Sequence, residues 1–208
     1  MSLKKLLKEK VDDKELDLIR KGFEIIGHIA IIEIPDEIIH LKQVIVEAIL
    51  KRHRNVKTIL IKTGYVKDIF RIAKYDIIYG QETETIVKEY GCKFLINPTK
   101  VYYSIKLSEE RERIVKQIKK DESVLVLFAG IGPYPITISK RSKVRQVIGI
   151  ELNPKSIEYF KKNVELNNVD VVVYEGDVKE VLPKIDVKFD RILIPAPYLA
   201  KEVIHLIR

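Results

Sequence analysis

The 208-residue sequence contains a single cysteine, Cys92, a single methionine and no tryptophan. One cysteine excludes an intrachain disulfide bond and a metal site built from several cysteines, and we expect no metal centre. No apolar run approaches the roughly 18 residues that a membrane span requires. The segment MSLKKLLKEK also lacks the apolar core of a signal peptide. We therefore expect a soluble, cytoplasmic protein with no membrane partner.

In contrast to cysteine, methionine and tryptophan, charged residues are abundant in this sequence. Charged residues make up 33% of the chain and apolar residues 46%, which suits a packed core beneath a densely charged surface. The net charge of +8 is spread along the chain rather than concentrated in a tail. Two interpretations stay open: a polyanionic partner bound through counterion release, or the solvated surface of a protein with a thermophile-like composition.

Residues 1–106 have the pattern of an α+β domain. The stretch FEIIGHIAIIEIP predicts two strands interrupted at Gly27, and PDEIIHLKQVIVEAILKRHRN carries apolar residues at helical spacing. Several short strand-like runs follow, each bounded by Gly, Asn or Pro. We predict an antiparallel sheet crossed by one long helix.

Residues 123–208 instead alternate strands with helices. The predicted strands are SVLVLFAG, QVIGIEL, VDVVVYEGD and DRILIPAP, and a helix over residues 107–122 would connect the two domains. This order predicts a parallel sheet with ligands at the carboxyl ends of its strands. The predicted fold class is therefore α/β, a Rossmann-like doubly wound parallel sheet preceded by a smaller α+β domain.

The first strand of the second domain runs into a glycine turn. A dinucleotide pattern G-x-G-x-x-G would place a third glycine at position 135, where the chain has Pro135, and Pro133 lies in the same turn. Neither proline has an N–H group to donate to a pyrophosphate at the helix start. The turn, formed by Phe128, Ala129, Gly130 and Gly132, therefore favours S-adenosylmethionine over a dinucleotide. A glycine turn without a ligand is the structural alternative.

Two acids and a proline-rich segment follow the later strands. Glu151 ends the second strand, where a carboxylate can accept from ribose hydroxyls, and Asp177 follows the third, placed to accept from an adenine amino group. Each acid could instead be a helix cap or a surface charge. The fourth strand ends in IPAPY, where many amine and ring-nitrogen methyltransferases carry Asn-Pro-Pro-Tyr. Pro195 takes the place of the asparagine, while Pro197 and Tyr198 keep the pattern.

Together these motifs resemble the archaeal and eukaryotic tRNA guanine-N1 methyltransferases, class I Rossmann enzymes related to the aminocarboxypropyl transferases of wybutosine synthesis. The resemblance extends over nearly the whole chain. The matching segments are FEIIGHIAIIEIP, AILKRHRNVKTIL, FRIAKYDIIYG, KVYYSIKLSEERERI, FAGIGPYPI, IELNPKSIEYFKKNVELN and DRILIPAP. The resemblance implies transfer of a methyl group from S-adenosylmethionine to a guanine beside the anticodon of tRNA.

The resemblance also implies roles for individual residues. Glu110 matches the general base that takes the N1 proton, Arg71 matches the arginine that stabilises charge on O6, and Tyr102 lies where the family contacts the donor or the base. A carboxylate near a cation can serve as this base only if burial raises its pKa. In the absence of a catalytic role, Glu110 would be a solvated helix charge paired with Arg111 or Arg113.

Binding of tRNA would use basic residues in the first domain and near the cleft. These are Lys51, Arg52, Arg54, Lys57 and Lys106. Lys106 replaces an arginine of the family, and a lysine cannot form a bidentate contact. Val126 likewise replaces an aspartate that the family uses toward the donor.

Three other functions stay open on these residues. The departures at Val126 and Pro195 suit a non-catalytic RNA-binding relative, and the related transferases suggest transfer of an aminocarboxypropyl group. A dinucleotide oxidoreductase is disfavoured by Pro133 and Pro135. We also expect about four Rossmann strands where the family has more, so that an exposed sheet edge could support a homo-oligomer.

Overall fold

The structure is a computed structural model that describes residues 3–8, 10–19, 22–64, 70 and 72–207. The backbone contacts divide the chain into two compact units, Met1–Thr85 and Ile86–Arg208. The sequence predicts a first domain over residues 1–106 and a connecting helix over 107–122, whereas by these contacts residues 86–122 lie in the second unit.

The first unit is a mixed sheet with helices beside it. Its elements are α1 (Leu3–Leu7), α2 (Asp13–Leu18), β1 (Glu24–Ile26), β2 (Ile29–Ile32), α3 (Lys42–Arg52), β3 (Thr58–Gly64) and β4 (Lys74–Tyr79). The strand order is β1-β2-β3-β4. The outer pairs are antiparallel, but β2 and β3 run parallel. The prediction of an antiparallel sheet was wrong at this pair, because α3 crosses between the strands and returns the chain in the same direction.

Helix α3 packs its apolar face on the sheet of the first unit. Ile45, Val46, Ala48 and Ile49 are its buried residues. They form one cluster with apolar residues of β2 and β3, among them Ala30, Ile32, Ile59 and Ile61. Most of this face follows the helical spacing predicted from the sequence.

The second unit begins with a hairpin and continues as a parallel α/β sheet. Its elements are β5 (Thr85–Glu89), β6 (Cys92–Ile96), α4 (Ser108–Val115), β7 (Ser123–Leu127), α5 (Pro133–Arg141), β8 (Gln146–Glu151), α6 (Pro154–Asn167), β9 (Val172–Glu175), α7 (Val178–Val181), β10 (Arg191–Leu193) and α8 (Ala200–Val203). The order β10-β7-β8-β9 is parallel throughout. The four predicted strands and the Rossmann-like fold class are confirmed.

The hairpin β5–β6 is attached to α6 by two asparagine side chains. Asn163 Oδ1 accepts from Leu95 N at 2.7 Å and its Nδ2 donates to Leu95 O at 3.2 Å. Asn167 repeats this pattern one helical turn later on Lys93, at 2.8 and 2.6 Å. The two amides therefore satisfy backbone groups of β6 that a neighbouring strand would otherwise pair, and they explain why this hairpin belongs to the second unit.

Strand β7 lies in the interior of the parallel sheet and positions the functional residues. All five of its residues are buried, as expected for a strand covered on both faces. The carboxyl ends of parallel neighbours meet at one edge, so the segments after β7, β8, β9 and β10 converge there. Within the described part of the chain, no helix combines the length and the apolarity needed to cross a membrane.

Candidate functional site

The glycine turn after β7 has the backbone conformation that its glycines predict. Gly130 and Gly132 have φ of 59° and 85°, and Phe128 has a positive φ of 54°. Ala129, which is buried, donates its N–H to Ile150 O at 2.9 Å and so ties the turn to β8. A Cβ atom on Gly132 would lie 2.2 Å from Phe160 Cδ2, whereas a Cβ on Gly130 would meet open space. The turn therefore needs glycine at Gly132 for packing and leaves room beside Gly130.

Glu151 closes this turn from the end of β8. Its Oε2 accepts from Gly130 N at 2.7 Å and its Oε1 accepts from Asn153 N at 2.8 Å. Burial raises the pKa of the Glu151 carboxyl, although hydrogen bonds from the backbone of Asn153, Gly130 and Leu152 oppose that shift. Each carboxylate oxygen has a second acceptor direction. Glu151 can therefore still accept from a hydroxyl group of a ligand while it holds the turn.

Asp177 follows β9 and caps a short helix. Its Oδ1 accepts from Lys179 N at 2.8 Å at the start of α7. The neighbouring Gly176 donates its N–H to Glu151 O at 2.9 Å, which joins the ends of β8 and β9. This is the helix-cap alternative that the sequence left open, and contact between Asp177 and an adenine amino group stays a prediction.

Pro195 and Pro197 follow β10, which pairs with β7 through Leu193 and Val126. Pro197 is exposed and opens a 3₁₀ turn, Pro197–Leu199, and Pro195 is partly buried. The side chain of Val126 is completely buried within β7. An aspartate at position 126 would need a partner there, and the valine removes that need by packing in the core.

Glu110, the predicted general base, is paired with Arg113 on helix α4. Two hydrogen bonds of 2.7 and 2.6 Å join Arg113 Nε and Nη2 to the two carboxylate oxygens. The Glu110 side chain is 42% exposed. The Arg113 hydrogen bonds lower the pKa of the Glu110 carboxyl and outweigh the opposing effect of burial. The raised pKa that a general base requires is thus not a property of Glu110 in this structure.

Next to Glu110, the structure has a buried cluster that the sequence analysis missed. Arg111 forms two hydrogen bonds of 2.6 Å with Glu89, and the phenol of Tyr103 donates to Glu89 Oε2 at 2.7 Å. Burial and the Glu89 carboxylate raise the pKa of Tyr103, so its phenol stays protonated as a donor. A signal did exist: Glu89 follows Thr85 and Val87 at alternate positions of β5, and all three lie on the buried face.

The remaining predicted residues occupy separate places. Tyr102 is 41% exposed, and Lys106 is exposed on a 3₁₀ turn before α4. Lys51, Arg52 and Arg54 are exposed at the end of α3. The Nζ atom of Lys57 lies 3.8 Å from Oε2 of Glu82. Arg71 lies outside the described residues. Their roles toward RNA or guanine stay predictions.

Among the described residues, no group of three or more His, Cys, Asp and Glu side chains is placed to hold a metal ion. The acids at the sheet edge instead bind backbone N–H groups. A parallel sheet, a glycine turn without the third glycine, and a carboxylate at the end of the next strand define a Rossmann-like domain of the class I methyltransferase type.

Comparison with known proteins identifies the family. Residues 85–208 match the TRM5/TYW2 methyltransferase domain, and residues 3–83 match the TYW2 N-terminal domain. The chain therefore belongs to the TRM5/TYW2 methyltransferase family. This confirms the resemblance recognised in the sequence.

Individual relatives are similar over most of this chain. The tRNA (guanine(37)-N(1))-methyltransferase Trm5b of Pyrococcus abyssi is 38% identical over 186 residues, covering 88% of this chain and 54% of that protein. The tRNA 4-demethylwyosine(37)-methyltransferase Taw21 of Saccharolobus solfataricus is 33% identical, covering 95% and 75%. The crystal structure of Methanocaldococcus jannaschii Trm5 in complex with adenosine has a TM-score of 0.80 and 28% identity, covering 99% and 61%. The chain spans about half the length of the guanine-N1 methyltransferases it matches.

Proposed function

We propose that this protein transfers the methyl group of S-adenosylmethionine to N1 of a guanine beside the anticodon of tRNA. The observation that carries the proposal is the Gly130–Glu151 turn, within a stretch that matches the TRM5/TYW2 methyltransferase domain. The named relatives that act on guanine 37 of tRNA support the choice of substrate. A tRNA substrate would place this activity in the cytoplasm.

The residues around the turn fit S-adenosylmethionine better than a dinucleotide. Pro133 and Pro135 occupy the first turn of α5, where a pyrophosphate would need N–H donors. The open space at Gly130 and the remaining acceptor capacity of Glu151 suit a ribose hydroxyl group. When bound, this donor supplies an electrophilic methyl group on a sulfonium. The adenosine complex of the Methanocaldococcus relative agrees with such a ligand.

On the acceptor side, Glu110 removes the proton of the guanine. Guanine N1 must lose a proton as it attacks the methyl group, and charge then develops on O6, where Arg71 is the assigned cation. Glu110 is now held by Arg113, so it must leave this partner and be covered by RNA before it becomes an effective base. Tyr102, 41% exposed, is assigned a contact with the guanine or the donor.

A second candidate function is methylation of 4-demethylwyosine at position 37 of tRNA. One observation favours it: the alignment with Taw21 extends over 95% of this chain and 75% of that protein, more of the relative than any alignment with the guanine-N1 enzymes quoted above. Pro195 also lacks the side-chain carbonyl that would accept from a ring nitrogen. The two candidates share the donor, the tRNA and the position, and differ only in the base.

The experiment that separates these functions is a methyl-transfer assay on defined tRNA. The chain is incubated with S-adenosylmethionine and one of three substrates: a transcript with guanine at position 37, a transcript with adenine there, or tRNA that carries 4-demethylwyosine. The masses of the product nucleosides are then measured by mass spectrometry. We expect a gain of about 14 mass units on guanine alone; a gain of roughly 100 would mean aminocarboxypropyl transfer. Transfer only to 4-demethylwyosine would establish the second candidate. RNA binding without any transfer would establish a non-catalytic relative.

A further inference from the structure

We propose that Glu89 is a positioning residue for methyl transfer: it holds Arg111, and through Arg111 the helix that carries Glu110. The inference rests on the proposed function, because it assumes that Glu110 acts on the substrate. None of the residues in this part of the second unit, Glu89, Tyr103, Arg111 and Tyr134, is among the site residues predicted from the sequence. Its basis is the geometry of the buried cluster of Glu89, Tyr103, Arg111 and Tyr134.

The Glu89–Arg111 pair has the geometry of a specific clamp. Arg111 Nε donates to Oε1 and Nη2 donates to Oε2, both at 2.6 Å. The two side chains are 5% and 2% exposed. Arg111 Nη2 also donates to Ser104 O at 3.2 Å. Burial lowers the pKa of Arg111, but the hydrogen bonds and the negative charge of Glu89 act together against it, and the pKa is raised. The guanidinium is therefore charged and fixed in direction.

This clamp sets the rotation of helix α4. Of the eight residues in Ser108–Val115, only Arg111 and Val115 are buried. Apart from this clamp, α4 is held by one buried valine and by the ion pair of Glu112 with Arg141 of α5. Arg111 directly follows Glu110, so the direction of its buried side chain determines the side of α4 on which Glu110 lies.

The same guanidinium also contacts the start of α5. Its Cζ lies 5.9 Å from the ring centre of Tyr134, within the range of a cation–π contact. Tyr134 is buried and is the second residue of α5, two positions after Gly132 of the glycine turn. Arg111 thus joins the helix of the proposed base to the helix that begins at the proposed donor site.

Stability alone does not account for this cluster. A buried ion pair pays a large desolvation cost, and replacing both charges by apolar residues is often neutral or stabilising. Loss of one partner is different, because it leaves an unpaired buried charge and is strongly destabilising. The decisive variant therefore removes both charges together, so that folding and positioning can be separated.

The test uses the double variant Glu89→Leu/Arg111→Met, with the single variant Glu89→Gln and the control Glu109→Gln. Glu109 is an exposed glutamate on the same helix. In the double variant we expect a melting temperature within a few degrees of wild type and a donor Kd within about twofold. We expect the single-turnover rate at saturating donor and tRNA to fall at least ~30-fold, and Glu109→Gln to keep the wild-type rate. A purely structural role would change melting and donor binding instead of the rate.

Hydrogen exchange tests the clamp without any enzyme activity. Amide protection over 108–115 should fall at least ~10-fold in the double variant, while protection over 154–167 stays unchanged. A wild-type rate together with unchanged protection of α4 would overturn the inference. If the wild-type protein transfers no methyl group, the proposed function fails, and the exchange result alone decides whether Glu89 holds α4.

Discussion

At the scale of single residues, Glu151 combines two opposing demands. Burial disfavours its charged form and raises its pKa, yet only the carboxylate can accept from Gly130, Asn153 and a ribose together. Its charge therefore matters more to ligand binding than to folding. A group with a raised folded-state pKa contributes stability below its unfolded pKa and loses it as pH rises through the folded value.

This opposition gives a prediction for acid pH. As pH falls through the raised pKa of Glu151, the S-adenosylmethionine affinity of the wild-type protein should weaken. Over the same range its stability without donor should increase relative to Glu151→Gln. The glutamine variant should bind donor about 10- to 100-fold more weakly at pH 7, as expected for lost hydrogen bonds to a charged acceptor, and show little pH dependence. Calorimetric titrations between pH 4.5 and 8 measure this.

The matched control is Glu165→Gln, an exposed glutamate of α6. It should retain the wild-type pH dependence. Equal affinity of Glu151→Gln and wild type at pH 7 would contradict the assignment of Glu151 to the donor site.

The sequence indicated which residues are candidates for the site, but it did not indicate which of them are buried or which side chains they pair with. Glu151 was assigned from its place after a strand, which needs only the order of elements. The pairing of Glu110 with Arg113 was one of the alternatives considered, because residues three apart face each other on a helix. The burial of Arg111 was not predicted, because its partner Glu89 is 22 residues away in sequence.

At the scale of elements, the glycine turn and the β5–β6 hairpin both contain a glycine with positive φ, but we expect only the glycine of the turn to affect ligand binding. Gly130 and Gly91 both have positive φ, 59° and 81°, and a Cβ atom on either would meet open space. Gly132 differs, because the Phe160 ring occupies the position of its Cβ. Alanine substitutions at the three positions therefore separate backbone strain, ligand contact and packing.

We predict three different outcomes for these substitutions. Gly130→Ala and Gly91→Ala should each destabilise the fold by about 1–2 kcal/mol through the left-handed conformation. Only Gly130→Ala should also weaken donor binding, by at least ~10-fold, because its methyl group enters the space proposed for the ligand. Gly132→Ala should add the cost of overpacking, about 1–3 kcal/mol. Thermal unfolding and calorimetry measure both effects; equal donor affinity in Gly130→Ala and Gly91→Ala would argue against a ligand at this turn.

The element predictions succeeded where local pattern decides and failed where tertiary partners decide. The four parallel strands follow from apolar runs that end in turn residues. The helix predicted over residues 107–122 ends at Val115, because Gln117 and Ile118 donate to carbonyls three residues earlier and Asp121 takes a φ of 62°. The place of β5–β6 depends on Asn163 and Asn167, whose amides give no signal in the sequence.

At the scale of the whole molecule, the charge of +8 gains a specific interpretation from the proposed tRNA substrate. Lys51, Arg52 and Arg54 form an exposed basic group at the end of α3. Each phosphate contact releases counterions, so log K falls linearly with log salt by about 0.7–0.9 per contact. Changing all three to alanine should weaken tRNA binding and reduce this slope by about 2.

The control for this prediction is a second triple variant in the same unit. Lys5, Lys8 and Lys14 are exposed lysines, and changing them to alanine removes the same charge. The two variants have the same net charge, and filter binding between 50 and 300 mM salt measures the tRNA affinity of each and its salt dependence. Identical slopes would show that the basic group has no special role and that only the total charge matters.

The most direct test of the central claim is a calorimetric titration of this chain with S-adenosylmethionine and, separately, with NAD. Saturable binding of S-adenosylmethionine, weakened in Gly130→Ala and Glu151→Gln, with no binding of NAD, is the result we predict. It would place the methyl donor at the glycine turn beside Glu151. Binding of NAD, or S-adenosylmethionine affinity unchanged in both variants, would contradict the account.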